Sequence, residues 1–60
     1  MIEIECYDIR KSERFIRKFK NPYKARNFLS RVYHSKNIFT ETVKADNKKE
    51  FNIATCNGII

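Results

Sequence analysis

Sixty residues, 42% of them hydrophobic and eight of them Phe or Tyr, suffice for one small folded domain and exclude both a second core and a disordered tail. Thirteen Lys and Arg against seven Asp and Glu give a formal net charge of +6, which favours a negatively charged partner. Residues 1–60 are read as one unit, with five Phe and three Tyr expected to supply most of its core.

Met1–Ile9 alternates, with Ile2, Ile4 and Cys6 on one side and Glu3, Glu5 and Tyr7 on the other, the pattern of a half-buried strand. Glu3, Glu5 and Asp8 stand where a secretory leader needs a basic head and an apolar core, and no apolar run approaches membrane-spanning length. The chain therefore reads as cytoplasmic, with no membrane partner and with Cys6 and Cys56 as reduced, small apolar filler in strands. Arg10–Glu13 is polar and can turn. Arg14–Lys20 alternates again, placing Phe15, Arg17 and Phe19 on one side and Ile16, Lys18 and Lys20 on the other. Setting Ile9 against Arg14 puts Ile4 opposite Phe19, and Glu5 and Glu3 opposite Lys18 and Lys20. One register then yields both an apolar face and cross-strand charge pairs. The competing reading of 12–20 is a helix capped by Ser12 and striped by Phe15, Ile16 and Phe19.

Asn21 can accept an orphan N–H as a helix N-cap, and Pro22 suits the first helical position, where its missing donor costs nothing. Ala25, Phe28, Leu29 and Val32 follow at helical spacing, so a helix is expected from Pro22 to the region of His34–Lys36. Ile38–Ala45 is rich in β-branched residues and reads as a strand. Asp46–Lys49 reads as a turn and Phe51–Cys56 as a fourth strand, with Val43 opposite Ile53 and Ala45 opposite Phe51. Asn57-Gly58 can turn the chain again, and Ile59 and Ile60 are either frayed or tucked on the sheet edge. The order ββαββ implies an α+β domain in which one helix packs across one face of an antiparallel sheet. The other face is then left open, carrying Glu3, Glu5, Tyr7, Ile16, Lys18, Lys20, Thr40, Thr42 and Lys44. Tyr7 with Ile16 is its one apolar spot.

Catalytic chemistry has few residues to draw on. His34 is the single histidine, the two cysteines lack metal-ligand spacing, the acids are scattered, and the lone Gly58 rules out a glycine-rich phosphate loop. The chain reads as non-enzymatic, with no metal and no cofactor. Charge is more informative: residues 10–36 hold ten of the thirteen Lys and Arg and one acid, Glu13. On the expected helix, Lys24, Asn27, Arg31 and His34 fall in one stripe opposite Ala25, Leu29 and Val32. On a nucleic-acid reader, Asn and Arg suit base edges and Lys suits phosphate. A solvated basic face that only keeps a small protein soluble would look similar.

The run PYKARNFL through HSK, with Phe19 before it and Ile38 after it, resembles short proteins encoded by phages and mobile elements of Gram-positive bacteria, over residues 7–40. The resemblance implies a hairpin, helix and strand core and a bacterial accessory role, in a family without an assigned activity. The expected function is a small basic accessory protein that binds nucleic acid through a basic helix face and hairpin: Lys24, Asn27, Arg31, His34, Arg17 and Lys18. The alternative is a protein-interaction module, an inhibitor or adaptor of a host protein. Lys44, Lys48 and Lys49 at the second hairpin would discourage one sheet edge from pairing, which suggests a monomer or weak homodimer.

Overall fold

A computed structural model describes residues 1–56. Strands β1 (Ile2–Asp8) and β2 (Glu13–Phe19) are followed by helix α1 (Pro22–His34), strand β3 (Ile38–Ala45) and helix α2 (Lys48–Cys56). The sheet is antiparallel with order β2-β1-β3, so the first strand is the central one. Residues 13–19 are strand, which decides against a helix over 12–20. The expected turn at Asn57-Gly58 and the placement of Ile59 and Ile60 lie outside the described residues.

The fold is α+β, but its last element corrects the expected ββαββ order: Phe51–Cys56 is helical, and Cys56 belongs to a helix instead of a strand. The local cause is Asn47. Its side-chain oxygen accepts the Glu50 N–H at 2.8 Å and its backbone carbonyl accepts the Phe51 N–H at 3.1 Å, so Asn47 caps a helix that begins at Lys48. Glu50 in the first turn complements the positive end of the dipole. Glu50, Ile53 and Ala54 share one face, and Ala54 is fully buried. With α2 in the helix layer, β3 pairs with β1, setting Ile4 opposite Val43 and Ile2 opposite Ala45. The expected pairs Val43 with Ile53 and Ala45 with Phe51 do not form.

In the first hairpin, the observed register sets Ile2 opposite Phe19, Glu3 opposite Lys18 and Glu5 opposite Ile16, two residues away from the expected one. The Asp8 carboxylate starts the turn early, accepting from the Arg10 N–H at 2.9 Å and the Lys11 N–H at 3.4 Å, and Ser12 closes it at φ 54°. A shift of two preserves the side on which each residue lies, so the apolar face survives while the charge pairs change.

Ile2, Ile4 and Cys6 are completely covered by Ala25, Leu29 and Val32 of α1 together with Ala54 of α2. Phe15, Phe19 and Phe28 are only partly buried, and Phe39 and Phe51 are exposed. Aliphatic residues therefore make the centre, and the aromatics expected there form its rim. Rings are too long to be enclosed entirely in a two-layer domain with this little surface to bury.

Candidate nucleic-acid interface

Asn21 caps α1 from extended backbone, its Oδ1 accepting the Tyr23 N–H at 2.8 Å, and Pro22 follows at the first helical position. Ala25, Leu29 and Val32 are buried against the sheet, so the opposite stripe of the helix faces water. Lys24, Asn27, Arg31 and His34 are all exposed there. Phe28 turns toward β2 and meets Phe19 with ring centroids 5.3 Å apart. Lys24 and Arg31 neighbour Phe28 on the helical wheel, so they stand on the flank of α1 above β2, while Asn27 and His34 form its crown. No acidic residue occurs in α1. Arg31 and His34 lie in its last turn, where positive charge suits the dipole. Tyr23 carries the Arg26 guanidinium 5.3 Å from its ring centre, and Tyr33 meets His34 edge-on at 5.4 Å.

Arg17 and Lys18 do not share a surface. Arg17 pairs with Ile4 on the helix side of the sheet and lies over the Phe15 ring at 5.1 Å. Lys18 pairs with Glu3 on the open side. The basic helix face and the hairpin therefore form one surface only as far as Arg17, at the sheet edge beside α1.

The open face is mixed in sign. Glu3 lies between Lys18 and Lys44, Glu5 between Ile16 and Thr42, and Tyr7 between Arg14 and Phe39. Glu41 is the extra residue of a bulge in β3, and beyond it Thr40 pairs with Cys6, on the helix side and not on the open face where it was expected. The same bulge brings Phe39 opposite Tyr7, adding a third apolar residue to the expected pair of Tyr7 and Ile16. Arg14 binds Glu41 across β1 at 2.7 Å and 3.5 Å, its guanidinium 5.5 Å from the Tyr7 ring centre. Among the described residues, Arg14 is the one cation of the 10–36 segment within ion-pair distance of a carboxylate.

A cavity of about 390 Å³, which the sequence did not signal, opens between the C-terminal half of α1, β3 and α2 and is lined mainly by Leu29, Val32, Tyr33, Ile38, Val43 and Thr55. Cys6 is buried under the helices as a free thiol, and burial pushes its pKa up, whereas His34 is exposed. Among the described residues no group of three or more His, Cys, Asp or Glu side chains is placed to hold a metal, and no helix is long and apolar enough to cross a membrane. No protein-family model, curated protein or solved structure matches this chain.

Proposed function

We propose that the protein is a small non-enzymatic accessory module that binds nucleic acid through the outer stripe of α1, with Lys24, Arg31 and the neighbouring Arg17 on phosphate and Asn27 and His34 toward bases or sugar. The observation that carries this reading is the absence of acids from α1 beside a row of exposed donors, whereas the open sheet face interleaves Lys18 and Lys44 with Glu3. A polyanion meets attraction along the helix and alternating sign on the sheet. The resemblance of residues 7–40 to phage and mobile-element proteins is in keeping with an accessory role.

Binding of this kind is led by the backbone and depends on salt. Each phosphate contact on duplex DNA contributes about −0.9 to the slope of log affinity against log salt concentration, so the three cations assigned to phosphate should give a slope of about −2.7 and weaken binding steeply between low and moderate salt. Titration of duplex DNA, single-stranded DNA and RNA at several salt concentrations tests this. No binding to any of the three at low salt would overturn the proposal.

A further inference from the structure

We infer that the free edge of β2 accepts an acidic, extended peptide segment of another protein as an added strand. β2 ends the order β2-β1-β3, so one row of its backbone N–H and C=O groups has no strand beside it. Among the described residues, no turn or loop backbone hydrogen bond involves Glu13–Phe19. The other edge, β3, is broken by its bulge at Glu41, which spoils it as a template. β2 runs seven residues without proline and pairs with β1 without a break in register. It is the edge that the geometry leaves open.

Charge selects the occupant. Arg17 and Lys18 are exposed on β2, Lys20 follows just beyond it, and Glu13 is its single acid, at the far end. β1 already shows what β2 pairs with: Glu3 stands opposite Lys18 on the open face, while Ile2 and Cys6 stand opposite Phe19 and Phe15 on the helix side. A segment with the same alternation of apolar and acidic residues, laid along the free side, would bring a carboxylate to Lys18 and cover the half-exposed rims of Phe15 and Phe19.

A second copy of this chain is a poor occupant. Its β1 is paired on both sides, and its own β2 would bring like charges together. Antiparallel self-pairing centred on Ile16 sets Arg14 across from Lys18, and centred on Arg17 it sets Arg14 across from Lys20. The partner is thus a different chain with acidic, β-prone sequence. This surface shares Arg17 with the proposed nucleic-acid stripe and otherwise lies apart from it on β2, so the inference does not depend on nucleic-acid binding.

The test is titration of a short capped peptide alternating valine and glutamate into the isotope-labelled protein at low salt, read by amide exchange and resonance shifts. Exchange should slow at the β2 amides that point away from β1, with shifts confined to residues 13–19 and their neighbours in β1. The same peptide N-methylated on alternate residues, which keeps the charge and blocks strand pairing, should bind at least about tenfold more weakly. Lys18→Ala should weaken binding several-fold while leaving the dispersed spectrum of the folded protein intact. No protection in β2 at millimolar peptide would overturn the inference. Equal binding by the N-methylated peptide, equal binding by a lysine analogue, or shifts centred on α1 would each overturn it as well.

Discussion

At Lys24 and Arg31 the solvent exposure that makes a side chain available for binding also makes it dispensable for folding. Lys24→Ala and Arg31→Ala should each weaken nucleic-acid binding about equally across sequences and reduce the salt slope by about one, as for a phosphate contact. Stability should change by less than about 0.5 kcal/mol, as for most surface changes. Lys18→Ala is the comparison, because Lys18 stands on the opposite side of the sheet beside Glu3. Equal losses from helix and strand variants in salt titrations would indicate diffuse attraction without a defined face. Cys6 makes a different prediction. Burial raises its pKa above the ordinary value of 9.0, so as pH rises the unfolded chain loses the thiol proton first. Unfolding then releases a proton, and stability should fall once pH passes the unfolded value, while below it this thiol has no effect. Denaturation from neutral pH to about pH 10 should show that loss in wild type and a smaller one in Cys6→Val. An identical pH dependence in the two proteins would mean that the buried thiol ionises as readily as an exposed one. The outer stripe of α1 was legible because helical period alone fixes which residues face away from Ala25, Leu29 and Val32. The division of Arg17 from Lys18 was also implicit in strand alternation, but grouping residues by charge concealed it.

Both helices begin at an asparagine, and their caps illustrate why one element was readable and the other was not. Asn21 is followed by proline and then by a long apolar stripe, so three independent signals agree on α1. Asn47 is followed by only nine helical residues, in which Phe51, Ile53 and Thr55 alternate as they would in a strand. The signal that mattered was the pair Asn47 and Glu50, a cap with an acid three residues on, and it competes with a period-two pattern over too few residues to separate the two. Because Phe51–Cys56 is helical, β3 lacks the hairpin partner expected of it and pairs with β1 alone. The hairpin register differs from the expected one by two residues for a smaller reason: Asp8 turns the chain through its own side chain, ahead of the polar run Arg10–Glu13. Asn21→Ala and Asn47→Ala should each cost about 1 kcal/mol, measured by chemical denaturation. For Asn47→Ala the lost helicity should be confined to the C-terminal end, with the β1–β2 hairpin unchanged in amide exchange. A change of less than about 0.3 kcal/mol on Asn47→Ala would mean that packing of Ala54 and Ile53 holds α2 without its cap.

For the whole molecule, the two sheet edges bear on whether copies of this chain associate. A second hairpin whose edge is guarded by Lys44, Lys48 and Lys49 would favour a monomer or weak dimer, but Lys48 and Lys49 belong to α2 and guard no strand. Lys44 does lie on an edge strand, β3, and two further features bear on self-pairing. The β3 edge is interrupted by its bulge, and the β2 edge carries Arg14, Arg17 and Lys18, which repel their counterparts in a second copy. A monomer is therefore predicted at micromolar concentration by sedimentation and by small-angle scattering, in both low and moderate salt. Because like charge opposes the pairing of β2 with itself, the prediction has a second part. Replacing Arg14 and Lys18 together by Ala should raise self-association, and the gain should be larger at low salt, where the repulsion removed from the wild type is least screened. Persistence of a monomer in the double variant would show that the edge is blocked by shape and not by charge.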